Sequence, residues 1–175
     1  MALIRTVSPE NAEGEIKEQY SFFIQRAGLV PKPFEMMSVS PELLKTQGSV
    51  VKYYMSHPTL GFPLLSHIRY LVAKEYDYQF CMNFNKQLLK MQGMDDAGIT
   101  EIGIYPEKVL LEEKDKAMLL FVLKAIKAPK ATEQKDIDAL HNIGWTDRDI
   151  FDAMAHGVNM IGSGMMMKAF KMDAC

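Results

Sequence analysis

Long hydrophobic runs are absent from this chain, which sets the first limit on what it is. The longest apolar stretches, such as Ala117 to Val122, fall far short of the roughly 18 residues that a membrane-spanning helix requires. The start, Met1-Ala-Leu-Ile-Arg-Thr, has no charged segment leading into an apolar run and a small-residue cleavage site. No secretory signal is expected, and the compartment is read as cytoplasmic. Cysteine is scarce too. Cys81 and Cys175 are too few for a disulfide framework, and both are expected as reduced thiols. Nor is there an excess of one charge. The 20 basic and 22 acidic residues are dispersed, with a formal net charge of -2, which excludes a dedicated surface for nucleic acid or an anionic membrane.

What is present in quantity is apolar residues and helix punctuation. With 175 residues, 48% of them hydrophobic, the chain can bury one sizeable core, and a single domain over 1–175 is expected. Methionine is the outlier, with 14 residues, many in the last third. Its flexible thioether suits cores, subunit contacts and ligand pockets alike.

Strand signals are weak, so the fold class is expected to be all-α. Ser8-Pro9-Glu10 reads as an N-cap and first-turn proline before a helix bearing Ile16, Tyr20, Phe23 and Ile24, which Gly28 ends. Val30-Pro31-Lys32-Pro33 reads as an extended connector. Ser40-Pro41-Glu42 opens a helix to about Ser56, stopped at His57-Pro58, and Pro63 begins another with Leu64, Leu65, Ile68, Leu71 and Val72 on its apolar face. The next is expected from Asp77 to Gln92, ended by Gly93, and is followed by a short helix near Asp95 to Ile104. Glu112 to Lys127 carries Met118, Leu119, Val122 and Ile126 at helical spacing, and Thr132 and Thr146 are N-caps for the last two helices.

A weak internal repeat runs through this pattern. Leu89, Gly93, Asp95, Asp96 and Ile99 recur as Leu140, Gly144, Thr146, Asp147 and Ile150. Each set reads as a helix stopped by glycine, a polar cap, and a new helix with an apolar first turn. Either a duplicated helix hairpin or the shared grammar of helix-turn-helix joints explains it.

The Asp77–Gln92 segment carries the reactive residues. Residues three, four and seven apart share a helical face, so Tyr78, Cys81, Asn85 and Leu88 form one stripe, with Phe84 beside it. Burial among such neighbours makes a thiol less reactive, whereas a place near the start of a helix favours the thiolate. Of these opposing effects, burial is the commoner outcome.

The run Ile68 to Cys81, followed by Asn85 and Gly93, resembles the central motif of the alkylhydroperoxidase D and carboxymuconolactone decarboxylase family. Val30-Pro-Lys-Pro-Phe34, Ser40-Pro-Glu-Leu-Leu44 and Gly144 to Ile150 are similar to its peroxidase-related branch. The resemblance implies an all-α bundle and a homo-oligomer. It also implies a relay of a glutamate on one helix and Cys-x-x-Cys-x-x-x-His on the next. Carried across, that relay is dismantled: Tyr78 stands for the first cysteine, Cys81 keeps the second, Asn85 replaces the histidine, and Ser66 falls where the glutamate is expected. A tyrosine cannot close a disulfide, asparagine does not shuttle protons near neutral pH, and serine is no substitute for a carboxylate base.

The resemblance therefore implies a small-ligand-binding or assembly module, with a small apolar ligand or a peroxide as the small-molecule partner. The alternative is a single-cysteine thiol peroxidase, in which Cys81 passes through a sulfenic acid. A decarboxylase-type enzyme, for which His67 and Arg69 are the acid-base and anion-binding candidates, is a third reading.

No cofactor and no metal site is expected. Asp152 and His156 lie one helical turn apart, but two ligands are weak evidence for a metal, and Asp147 and Asp149 read as first-turn acids. Gly157, Gly162 and Gly164 mark a close helix crossing or a kink. Trp145 reads as a staple before a cap. Tyr53, Tyr54, Tyr70, Tyr76 and Tyr78 are tyrosines that could line a pocket, or simply half-buried residues of the ordinary kind.

Overall fold

Nine α-helices and no strand form among the described residues, 2–173, of the computed structural model. They are α1 (Gly14–Ala27), α2 (Lys32–Met37), α3 (Pro41–Met55), α4 (Phe62–Glu75), α5 (Gln79–Met91), α6 (Asp96–Ile104), α7 (Glu113–Lys127), α8 (Gln134–Asn142) and α9 (Asp147–Ala169). None is long and apolar enough to cross a membrane. Cys175 lies outside the described residues.

The chain divides into two compact units. One comprises residues 1–57 with 163–175, the other residues 58–162. In the first, Ala12, Tyr20, Val30 and Leu44 make a core packed by Val7, Ile16, Phe34 and Met37. The Tyr20 hydroxyl donates to the Val7 carbonyl at 2.8 Å, and the Val7 N–H donates to the Ser38 hydroxyl at 2.8 Å, so the extended segment before α1 is strapped to that core. Gly48 of α3 sits against Gln19 of α1, whose Oε1 would lie 2.8 Å from an added Cβ.

Two helix starts differ from the sequence expectation here. Pro9–Asn11 forms only a short 3-10 turn behind Ser8, and α1 begins at Gly14, which takes φ +50° and breaks continuity with that turn. The expected connector at Val30–Pro33 ends early, because α2 starts at Lys32. Proline lacks only an N–H that the first turn leaves unbonded anyway, so Pro33 is tolerated there.

In the second unit the repeated joints share one geometry. At the first, Gly93 has φ +93°, Gly93 N–H donates to Lys90 and Met94 N–H donates to Leu89. At the second, Gly144 has φ +87°, Gly144 N–H donates to His141 and Trp145 N–H donates to Leu140. Both are Schellman closures, and both are followed by a capped helix. Asp95 accepts from the Gly98 N–H at 2.7 Å. Thr146 and Asp149 exchange backbone and side-chain bonds as a capping box. Before α8, however, Glu133 takes the cap position instead of Thr132, sharing a capping box with Asp136. Carboxylates at a helix N-terminus gain from the macrodipole, as a neutral hydroxyl does not.

Trp145 is buried, donates its indole N–H to the Lys114 carbonyl at 3.0 Å, and carries the Lys114 ammonium over its ring. Gly157 of α9 marks a close crossing with α7 and α4. A Cβ there would meet Ile126 at 2.7 Å, Val122 at 3.1 Å and Ile68 at 3.4 Å. An added Cβ at Gly162 meets nothing within 4 Å, so only the first of these two glycines is required by packing.

Candidate functional site

Helices α4 and α5 form a tight hairpin joined at Tyr76–Tyr78. Asp77 takes φ +54°, while the Tyr78 N–H donates to Ala73 and the Asp77 N–H to Lys74, so an aspartate closes α4 in the manner glycine usually does. This left-handed turn moves the start of α5 from Asp77 to Gln79, with Tyr78 as its N-cap. Cys81 consequently lies in the first turn of α5. It is buried with Ala73 and Tyr78, and Tyr76, Phe80, Met82, Met160 and Ile161 pack around this group.

The antiparallel hairpin places Ala73 beside Cys81 and Arg69 beside Asn85. Asn85 is almost fully buried. Its Oδ1 accepts from Arg69 Nε at 2.8 Å, and its Nδ2 donates to the Cys81 carbonyl at 2.8 Å. Asn85 therefore couples the backbone of the cysteine to a cation on the neighbouring helix. Ser66 is tied elsewhere, its hydroxyl donating to Pro63 and accepting from Gln92. Gln92 is eleven residues beyond Cys81, about 16 Å along the helix at 1.5 Å per residue. Of the four motif positions, Tyr78, Cys81 and Asn85 come together at one end of the hairpin, and Ser66 is anchored at the other.

Arg69 is the residue that motif matching undervalued. Its Nη1 lies 3.1 Å from His156 Nε2 on α9, and its guanidinium carbon lies 6.0 Å from the centre of the Phe62 ring. Arginine has only donors, so His156 Nε2 must be the acceptor and hence unprotonated. The other ring nitrogen carries the proton toward the backbone of Leu65. Burial, reinforced by the Arg69 charge, holds the His156 pKa well below its ordinary 6.5. Burial also pushes Arg69 down to about 10, which leaves it charged at neutral pH. His67, by contrast, turns its Nδ1 to the Pro63 carbonyl at 2.7 Å, and burial lowers its pKa. A signal for Arg69 does exist in the sequence, as the one cation in the otherwise buried run Leu64 to Ala73.

Of the two residues one turn apart on α9, Asp152 lies 3.5 Å from Arg148 and His156 lies 3.1 Å from Arg69. Among the described residues no group of three or more His, Cys, Asp or Glu side chains is placed to hold a metal ion.

Comparison with protein-family models finds no match, and comparison with curated proteins finds no significant one. Solved structures do match. An uncharacterized peroxidase-related protein with an alkylhydroperoxidase AhpD core, from Ralstonia eutropha JMP134, superposes with a TM-score of 0.82 at 19% identity, over 98% of this chain and 90% of that one. A peroxidase-related protein from Silicibacter sp. TM1040 gives 0.83 at 17% identity, over 98% and 90%. The debrominase Bmp8, solved as a cysteine-to-alanine variant in complex with 2,3,4-tribromopyrrole, gives 0.75 at 14% identity, over 100% and 93%. The fold of this chain is that of the alkylhydroperoxidase D core.

Proposed function

We propose that this chain, built on the alkylhydroperoxidase D fold, is a small-molecule-binding module, working as a homo-oligomer, in which dithiol peroxide reduction has been given up. The observation that carries this reading is the commitment of Asn85. It occupies the place that the family resemblance gives to a histidine, and both ends of its amide are spent, on Arg69 and on the Cys81 carbonyl. An amide so held neither titrates near neutral pH nor relays a proton. Tyr78, at the cap of α5, offers no second sulfur for a local disulfide. The test is turnover of hydrogen peroxide and an organic hydroperoxide with a dithiol reductant. Equal rates at the uncatalysed background for wild type and Cys81→Ser support the reading, and turnover that disappears with Cys81 refutes it.

A second reading, single-thiol chemistry at Cys81, is favoured by one feature of the site and one of its neighbours. Cys81 lies in the first turn of α5, where the helix dipole stabilises a thiolate. The neighbour Bmp8 is a debrominase whose complex with tribromopyrrole was solved with a cysteine replaced. In a peroxidase version the Cys81 thiolate would attack one peroxide oxygen. Cleavage of the O–O bond would leave a sulfenic acid and an alcohol or water, and two external thiols would then restore the cysteine, releasing water and their own disulfide. Bromide release from tribromopyrrole in the presence of excess thiol, lost in Cys81→Ser, would establish the debrominase version.

A further inference from the structure

Resting on the reading that this chain is a small-molecule-binding module, we propose that Arg69 anchors a small organic carboxylate whose apolar body lies against Phe62. A cation taken out of water is normally matched by an anion, because desolvation costs far more than neutral hydrogen bonds return. Glu35, a buried acid of the other unit, obeys this rule with Lys32 at 2.7 Å. Arg69 does not. Its two protein partners are the amide oxygen of Asn85 and the unprotonated nitrogen of His156, both neutral. They orient the guanidinium without neutralising it.

Those two bonds use the Nε hydrogen and one hydrogen of Nη1. Three of the five N–H donors, both on Nη2 and one on Nη1, have no acceptor among the described residues. They are not sealed in. Arg69 is only partly buried. A fixed planar fork with free donors matches the two oxygens of a carboxylate. Phe62, half exposed at the first position of α4, stands over one side of that fork and offers a ring face to an apolar substituent. Asn85 and His156 are then positioning residues. The Asn85 amide also links the anchored group to the Cys81 backbone.

Benzoate and its uncharged analogue benzamide are suitable probes, titrated into the full-length protein while the Arg69 Nε–H resonance and the thermal midpoint are followed. Benzoate is expected to shift both saturably, and benzamide neither. Phe62→Ala, a change at an exposed side chain, is expected to weaken benzoate binding about fivefold, and Arg69→Gln to abolish it. If Arg69→Gln does not fold, the benzoate and benzamide pair together with Phe62→Ala decides the matter. Equal responses to benzoate and benzamide, no saturable benzoate response, or a Phe62→Ala variant that binds benzoate like wild type would each overturn the proposal. Benzoate binding alongside Cys81-dependent peroxide turnover would remove the functional reading and leave the anchor standing. Absence of both would remove the anchor and leave that reading.

Discussion

His156 should make this protein acid-sensitive in a way that one substitution removes. The imidazole is buried, its Nε2 accepts from Arg69, and its pKa is depressed first by burial and then by the Arg69 charge. Protonation would turn that acceptor into a donor and set a second cation beside the first. Below the ordinary value of 6.5 the unfolded chain takes up a proton that the folded chain refuses. The contribution is thus fully present above 6.5 and is lost as pH falls from there toward the depressed native value, with a slope of up to about 1.4 kcal/mol per pH unit. His67 acts in the same direction, its pKa being lowered by burial, but it is common to wild type and variant. In His156→Gln an amide oxygen can still accept from Arg69 and nothing titrates. Urea unfolding at about pH 7.5 and about pH 5 should show the wild type losing more stability than His156→Gln over that interval. Parallel losses in the two proteins would refute the assignment of a buried neutral histidine bonded to Arg69.

Gly157→Ala should destabilise by about 1–2 kcal/mol, because the methyl group overpacks Ile126 and Val122 by more than helix propensity returns. Gly162→Ala, on the same helix with open space around it, should stabilise by about 0.5–1 kcal/mol, and chemical denaturation of the two distinguishes the cases. Lys171 closes α9 at φ +55°, a conformation that glycine adopts without strain, so Lys171→Gly should raise stability by about 0.5–1 kcal/mol in the same assay. Asn85→Leu should lower stability by about 1–3 kcal/mol, since it leaves Arg69 Nε without its acceptor and removes the side-chain bond to the Cys81 carbonyl. An unchanged midpoint would mean those bonds carry no energy.

The helices were largely legible in the sequence, because prolines, caps and glycines punctuate them directly. Ser40-Pro41, Gly28, Gly93, Gly144 and Thr146 all act at the boundaries that residue type implies. The misreadings fall where two residue types compete for one role. Pro33 looks like a helix breaker yet fits a first turn, and Glu133 outcompetes Thr132 as a cap. The Tyr78–Cys81–Asn85 cluster was readable from helical spacing, because its members lie within two turns of one another. The network around it was not. Arg69 meets Asn85 sixteen residues away and His156 eighty-seven away, and these contacts depend on the register of a hairpin whose turn is set by a left-handed aspartate. Matching Ser66 to a catalytic glutamate rested on spacing alone. In the folded chain Arg69, three residues further along α4, is the residue that reaches Asn85.

On the proposed reading, fold and chemistry separate in this chain. The bundle of the peroxidase-related structures is kept almost end to end, while the groups at the head of α5 are an amide, a phenol and one buried thiol. The most direct test of that separation is the oxidation state of Cys81 after the reduced protein meets one equivalent of hydroperoxide without added reductant. Peptide mass spectrometry should find the thiol unchanged over the time in which free cysteine in solution remains unreacted. A Cys81 peptide carrying one added oxygen, or trapped as a mixed disulfide when a second thiol is supplied, would contradict the claim that peroxide reduction has been given up here.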